Sequence, residues 1–183
     1  LRTIPNMTVI MPADYYAAKK LVRAAAEYDG PVFLRFTRDA VPIIYDEKTE
    51  FTIGKAHLLR EGGDVAILAN GDTVCLALKA AEELAKKGIT ARVVDVHTIK
   101  PLDAEAVQKA VNEIGKIVTV EDHNILNGLG SAVCEVAAEI GKGKVKRIGV
   151  QDQFGESAPY EVLMEKNGIT VENIIAQAEK LQS

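Results

Sequence analysis

The sequence is poor in the residues that many catalytic and metal sites require. Its 183 residues include three histidines, two cysteines and no tryptophan. Cys75 and Cys134 lie among apolar residues at helical spacing, so we expect buried free thiols and no disulfide. The histidines are far apart in sequence, and none has metal-ligand spacing to a cysteine or a carboxylate. The sequence therefore shows no recognisable metal site.

Charge and hydropathy argue against two further classes of protein. The net charge is −4, and no run of lysine and arginine forms the basic face that nucleic acid requires. No apolar run reaches the roughly 18 residues that mark a membrane-spanning helix, and there is no signal-peptide pattern. We expect a cytoplasmic globular protein that binds neither nucleic acid nor a membrane.

Strand and helix patterns alternate along the chain. The predicted strands cover residues 9–11, 32–37, 51–60, 64–69, 91–96, 116–120 and 144–150. The first predicted helix begins at Asp14. Further helices are predicted at residues 73–87, 103–114, 131–140, 160–166 and 171–181. This alternation predicts an α/β fold with a doubly wound parallel sheet, and neither a barrel nor a sandwich.

A change in composition predicts a division of the chain. Residues 39–50 are polar or helix-breaking around an apolar stretch at 43–45, which is typical of an ordered linker. The single βαβ unit before them is too small for a core of its own, because a parallel sheet needs both faces covered. We predict the end of a larger α/β domain at 1–40, a linker at 41–50 and a second α/β domain at 51–183.

The loops between strands and helices carry weaker signals. The glycine loops at 70–73 and 127–131 match neither a dinucleotide-binding fingerprint nor a P-loop. Ser131 lacks the nucleophile-elbow pattern and is predicted to cap a helix. Glu-Asp-His at 121–123 follows a strand, where α/β folds often place functional groups, but we favour a helix-capping and turn role.

Two arginines belong to the strand predicted at 32–37. Arg38 stands just beyond its carboxyl end, the edge at which open parallel sheets bind ligands, and a guanidinium suits a phosphate dianion. From the pattern alone, an anion site and a surface salt bridge explain Arg38 equally well. Arg35 lies further inside the strand, and we expect it to form a structural ion pair.

Short motifs along essentially the whole chain resemble those of transketolases, in the family's order. The stretches that resemble the second half of the pyrimidine-binding domain are residues 4–7, 12–14 and 29–38. Those that resemble the C-terminal domain are residues 98–103, 120–123, 128–133 and 154–157. The predicted α/β domain at 51–183 thus resembles the transketolase C-terminal domain, preceded by part of a pyrimidine-binding domain.

The resemblance implies a role in ketol transfer. Transketolases move a two-carbon ketol unit between sugar phosphates and use thiamine diphosphate with Mg²⁺ or Ca²⁺. In some bacteria and archaea the enzyme is split into two chains, and this chain resembles the second. The implied partners are an N-terminal chain with the pyrophosphate-binding domain, a second copy in a homodimer, and sugar-phosphate substrates.

The resemblance also implies which site residues this chain contains. In the family, the glutamate that activates the cofactor and the aromatic residues that stack on it precede the part matched here. The metal ligands lie in the other domain. We therefore assign no catalytic, cofactor-binding or metal-binding residue, and we expect the chain alone to be inactive. Arg38 matches the family's arginine for the substrate phosphate.

Three other interpretations stay open at this point. 1-Deoxy-D-xylulose-5-phosphate synthase has the same domains and a similar arginine, although residues 98–103 and 154–157 look more like transketolase. The pyruvate dehydrogenase β subunit shares the architecture but has no need of a sugar-phosphate arginine. The chain is also compatible with a non-catalytic module for dimerisation and support.

Overall fold

The computed structural model describes residues 1–182 and contains eight strands and six helices in that range. The strands are β1 (Thr8–Ile10), β2 (Val32–Leu34), β3 (His57–Arg60), β4 (Val65–Ala69), β5 (Ala91–Asp95), β6 (Thr98–Lys100), β7 (Lys116–Asn124) and β8 (Lys144–Val150). The helices are α1 (Tyr15–Glu27), α2 (Thr73–Lys86), α3 (Ala104–Glu113), α4 (Leu129–Ile140), α5 (Tyr160–Lys166) and α6 (Val171–Gln182).

The larger sheet has five strands in the order β3-β5-β4-β7-β8. Strands β5, β4, β7 and β8 are parallel, and the edge strand β3 runs antiparallel to β5. All five residues of β4 are buried, because the sheet is covered on both faces. Alternate β4 residues pack against α2 and α6 on one face and against α3 and α4 on the other. The predicted α/β fold with a parallel sheet is confirmed.

The smaller sheet has three strands in the order β2-β1-β6. Strands β1 and β2 are parallel and are connected by α1, whereas β6 pairs antiparallel with β1. Strand β6 was not predicted, because a three-residue strand has no periodicity of its own and is defined by its partner. Strand β6, from the later part of the chain, thus completes the smaller sheet. The predicted domain boundaries at residues 40 and 51 stay predictions.

Several element ends differ from the sequence prediction, among them the strand predicted at 51–60, which begins only at His57. Strand β2 ends at Leu34 instead of residue 37, and β7 continues to Asn124 instead of ending at 120. Helix α4 begins at Leu129, so Ser131 lies inside the helix and the predicted capping role of Ser131 is wrong. The N-cap is Gly128, which offers no side chain, and a carboxylate from another element binds this helix end instead.

The stretch predicted as a linker has no helix or strand but is held at defined points. Asp14 caps α1 as predicted, since its Oδ1 accepts a hydrogen bond from the Ala17 N–H at 2.9 Å. Its Oδ2 accepts from the N–H groups of Ile44 and Tyr45 at 2.7 and 2.8 Å. The Tyr45 hydroxyl donates to Asp95 Oδ2 at 2.7 Å. One buried carboxylate therefore both starts a helix and positions the linker.

Two further expectations concern the cysteines and the membrane. Cys75 and Cys134 are free, as predicted, but both are half-buried and not buried. Within residues 1–182 the structure has no helix with the length and apolar character needed to span a bilayer.

The substitution Asp14→Ala tests whether the Asp14 carboxylate both caps α1 and holds the linker at Ile44 and Tyr45. It leaves three backbone N–H groups without their acceptor, so we expect the free energy of unfolding to fall by about 2–3 kcal/mol. Urea denaturation measures this loss. The matched control is Asp46→Ala, which removes an exposed carboxylate that accepts from the N–H groups of Lys48 and Thr49 and should cost much less. Equal losses in the two variants would contradict the assignment.

Candidate functional site

The carboxyl ends of β4 and β7 form the topological switch point of the larger sheet. The sheet continues from β4 to β5 on one side and from β7 to β8 on the other, and open α/β sheets bind ligands in the crevice between such strands. In this protein, residues from the first part of the chain occupy this crevice. The Met11 carbonyl accepts a hydrogen bond from the Gly71 N–H at 3.2 Å, and Met11 Sδ lies 3.5 Å from Asn70 Nδ2.

Arg35 reaches the same crevice from the end of β2. Its Nη1 donates to the Asp122 carboxylate, and its Nη2 lies 3.4 Å from the Asp122 carbonyl oxygen. The Asp122 side chain is 8% exposed and that of Arg35 is 35% exposed. The structural ion pair predicted for Arg35 is therefore present, and it joins the two sheets.

A second carboxylate lies beside this pair. Asp72 is 2% exposed, and its Oδ2 accepts a hydrogen bond from the Tyr160 hydroxyl. Burial, together with the negative charge of Asp122, raises the pKa of Asp72 to about 6, although the hydrogen bond from Tyr160 and the charge of Arg35 act in the opposite direction. Asp122 is paired with the Arg35 guanidinium and Asp72 with the Tyr160 phenol, and a proton on Asp72 relieves the repulsion between the two carboxylates.

Two cavities lie on either side of Arg35. One, of about 230 Å³, is also lined by Asp122, Tyr160 and the fully exposed Phe154. The other, of about 250 Å³, is lined by His123 among others. Because Asp122 neutralises Arg35, neither cavity presents an unpaired guanidinium from this residue to a ligand.

The Glu-Asp-His run has the capping role that the sequence favoured. Glu121 accepts hydrogen bonds from the N–H groups of Leu129 and Gly130 at 2.7 and 2.9 Å, at the start of α4. Burial raises the pKa of Glu121 to about 7, although those two N–H groups oppose the shift. A Cβ at Gly128 would lie 1.9 Å from Glu121 Oε2, so only glycine fits there. An internal carboxylate occupies this helix end, which leaves no place for a bound anion.

His123 lies beside the same carboxylate. Its Nδ1 is 3.2 Å from Glu121 Oε2, and burial lowers the pKa of the imidazole. Its Nε2 is buried and has no hydrogen-bond partner within the described chain. The ring therefore sits as a neutral group against the cap of α4.

Arg38 lies apart from this cluster. It is exposed, four residues beyond the end of β2 at Leu34, and lines neither of the two cavities beside Arg35. It makes no hydrogen bond or ion pair with any residue in the range 1–182. The surface salt bridge considered from the sequence is thus not formed in this part of the chain, and the phosphate-binding role stays a prediction.

Asp72, Asp122 and Tyr160 were not predicted from the sequence to form one group. Asp72 follows β4, and Asp122 lies near the carboxyl end of the adjacent parallel strand β7; this placement is the signal that could have paired them. Tyr160 follows a long irregular segment, so the sequence gives no indication that its hydroxyl returns to Asp72. Among residues 1–182, no group of three or more His, Cys, Asp or Glu side chains is placed to hold a metal ion.

Comparison with protein families accounts for both sheets. The family model described as "Transketolase, C-terminal domain" matches residues 54–174, and that described as "Transketolase, pyrimidine binding domain" matches residues 1–43. The chain belongs to the transketolase family. This is a family of thiamine-diphosphate enzymes, and the resemblance read from the short motifs is confirmed.

Named relatives of this transketolase chain include subunits and C-terminal sections. A 6-deoxy-6-sulfo-D-fructose transketolase subunit from Clostridium sp. is 45% identical over 99% of this chain and 56% of its own length. A putative transketolase C-terminal section from Methanocaldococcus jannaschii is 45% identical over 95% of this chain and 55% of its own. This transketolase chain therefore spans about half the length of these relatives.

A solved structure shows the same fold. It is described as a split-gene transketolase in the form of an inactive β4 tetramer, and it superposes with a TM-score of 0.95 at 41% identity. The match covers 99% of this chain and 59% of that chain. The backbone fold of this chain is therefore the same as that of the matching part of a transketolase that forms a tetramer.

The pH dependence of stability tests the environment of Asp72. Because its pKa is raised in the folded state, its contribution to stability is complete below about pH 4 and is lost as the pH rises through about 6. Relative to the wild type, Asp72→Asn should therefore gain on the order of 1–3 kcal/mol of unfolding free energy between pH 4 and pH 7. Urea denaturation over this pH range measures it.

Asp46→Asn serves as the control with the opposite sign. A hydrogen bond from the Thr49 hydroxyl lowers the pKa of Asp46, so the contribution of this carboxylate is lost as the pH falls. Asp46→Asn should lose stability relative to the wild type as the pH rises. If the unfolding free energies of the two variants changed with pH in the same direction relative to the wild type, the pKa of Asp72 would not be raised in the folded state.

Proposed function

We propose that this chain is part of the C-terminal section of a split transketolase that transfers a two-carbon ketol unit between sugar phosphates. The observation that carries the proposal is the match along 99% of the chain to a split-gene transketolase of nearly identical backbone geometry. Relatives named as transketolase subunits or sections, about 45% identical, support the same activity.

In this proposal the chain contributes a phosphate-binding arginine. Arg38 presents an exposed guanidinium with no protein partner in residues 1–182, and a guanidinium donates two parallel hydrogen bonds to a phosphate. Thiamine diphosphate, bound with Mg²⁺ in the complete enzyme, supplies the nucleophilic carbon for ketol transfer. We assign no step of that chemistry to the side chains of this chain.

The proposed assembly contains an N-terminal chain with the pyrophosphate-binding domain and a second copy of this chain, in a cytoplasmic homodimer. The first part of the chain has three exposed aromatic side chains, which an interface would bury. Tyr28 is 40%, Phe33 37% and Phe36 50% exposed. Exposed apolar groups on neighbouring elements are typical of a surface that is buried in an assembly. The similar split-gene transketolase forms a β4 tetramer, which supports self-association of this chain as well.

A second candidate function is 1-deoxy-D-xylulose-5-phosphate synthase. One such enzyme, from Geobacter sulfurreducens, is 40% identical over 98% of this chain, which corresponds to 29% of its own length. The two activities differ in their donors. The complete enzyme, assembled from its chains with cofactor, should convert xylulose 5-phosphate plus ribose 5-phosphate. Conversion of pyruvate plus glyceraldehyde 3-phosphate instead would favour the synthase.

Arg38→Ala tests the phosphate site in the assembled enzyme. Loss of a charge-assisted hydrogen bond should weaken the transition state for phosphorylated acceptors by about 1.5–3 kcal/mol. This corresponds to a fall of roughly 10- to 100-fold in kcat/KM. Unphosphorylated aldehyde acceptors should be nearly unaffected, since they have no group for the arginine to bind. Steady-state kinetics with both acceptor types measures the difference.

The matched control is Arg23→Ala, which removes another exposed arginine, from helix α1. It should change neither acceptor series. If Arg38→Ala reduces both series equally, or lowers the melting temperature by several degrees, then Arg38 has a structural role and the phosphate assignment is wrong.

The chain alone should neither bind thiamine diphosphate tightly nor turn over sugar phosphates, because the family's activating glutamate and metal ligands lie outside the matched segments. Isothermal titration with thiamine diphosphate and Mg²⁺ measures this directly. Micromolar binding at one site per chain would contradict the assignment of the cofactor site to other parts of the assembly.

A further inference from the structure

The segment that carries Arg38 is irregular between two fixed points. Residues 35–46 form no helix or strand, and most of the side chains from Phe36 to Ile43 are exposed or half-buried. A hydrogen bond from the Thr37 hydroxyl to the Asp39 carbonyl oxygen, at 2.9 Å, is local to the segment. The position of the Arg38 guanidinium therefore depends on how the two ends of this segment are held.

The first end is held at Arg35. Its N–H donates to the Ile10 carbonyl at 2.9 Å, which is the last backbone hydrogen bond between this stretch and β1. Its side chain then crosses to Asp122 at the end of β7, in the larger sheet. The guanidinium contacts both the carboxylate and the carbonyl oxygen of that one residue, which fixes its orientation as well as its distance.

The second end is held at Ile44 and Tyr45, whose N–H groups donate to Asp14 Oδ2. Two carboxylates, both nearly buried, thus bracket the segment: Asp14 at the start of α1 and Asp122 at the switch point of the larger sheet. Only Asp122 belongs to the part of the chain that matches the C-terminal domain.

We propose that Asp122 is a positioning residue for the substrate-phosphate site, which acts by holding Arg35 and thereby the segment that presents Arg38. This inference rests on the proposed function and deepens it. It gives the C-terminal domain a direct influence on substrate recognition, since a side chain of that domain orients a binding group in the neighbouring unit. Small displacements of a binding group cost large factors in rate, so the influence is measurable.

The physical basis is the burial of the ion pair. Asp122 is held away from water, and breaking the pair leaves Arg35 without its partner at a half-buried site. Arg35 must then move toward solvent to be hydrated. Because Arg38 is only three residues further along, that movement displaces the segment in which it lies.

The variant Asp122→Asn keeps the shape and the backbone carbonyl of Asp122 but removes its charge. In the assembled enzyme with thiamine diphosphate and Mg²⁺, we expect KM for phosphorylated acceptors to rise about tenfold with kcat little changed. Unphosphorylated acceptors should stay within about twofold of the wild type. Arg35→Gln should have the same effect, and the double variant should be no worse than either single one, because both changes remove the same contact.

Hydrogen exchange provides the second measurement. In the assembled protein, amides of residues 36–43 should exchange about tenfold faster in Asp122→Asn than in the wild type. Lys55→Ala is the matched control, because it removes an exposed ion pair with Glu105 that also joins distant parts of the chain. It should change neither the kinetics nor the exchange of residues 36–43.

Equal losses for both acceptor types, or unchanged exchange in residues 36–43, would overturn the positioning role. Additive losses in the double variant would also overturn it. If the assembled wild type transfers no ketol unit between sugar phosphates, the proposed function fails. The exchange of residues 36–43 would then still decide, without any activity, whether Asp122 holds the segment.

Discussion

The structure depends on the double pairing of strand β1. This strand pairs with β2 on one side and with β6 on the other, and the Met11 N–H after it donates to the His97 carbonyl at 2.7 Å. A single βαβ unit has too little apolar surface to be stable alone, and the backbone bonds to β6 attach it to the larger domain. The hydrophobic core of the larger sheet thereby stabilises a small unit that is distant in sequence.

This attachment determines what happens at the switch point of the larger sheet. A crevice at the carboxyl ends of parallel strands normally receives a ligand, because unpaired polar groups meet there. Here Met11 lies against Asn70, and Arg35 pairs with Asp122. Some of the groups that a ligand would satisfy are thus satisfied by the chain itself, whereas Asn70 Oδ1 and Asp72 Oδ1 have no hydrogen-bond partner within residues 1–182. The crevice serves as an internal joint between the two sheets.

Much of the fold was predictable because its signals are local. Strand β4 is a continuous apolar run, Asp14 and Asp103 cap their helices within three residues, and α2 buries small residues at helical spacing. What failed depends on partners outside the element itself. Strand β6 exists because β1 is beside it, and α4 takes its capping carboxylate from Glu121 in the preceding strand, which made Ser131 unnecessary. The Asp72–Tyr160 bond needs the whole fold for the same reason.

The two arginines show why the carboxyl edge of β2 can be structural and functional at once. Arg35 is half-buried against a carboxylate, so a phosphate could bind it only by displacing Asp122 and leaving that charge buried and unpaired. Arg38 is exposed and has no protein partner within residues 1–182. An anion that binds it therefore displaces only the water that hydrates the guanidinium. The desolvation balance therefore favours Arg38 over Arg35 for the proposed anion binding, while Arg35 joins the two sheets. The position of Arg35 in the predicted strand already favoured an ion pair for it, but its partner was not predictable, because that depends on where Asp122 lies in space.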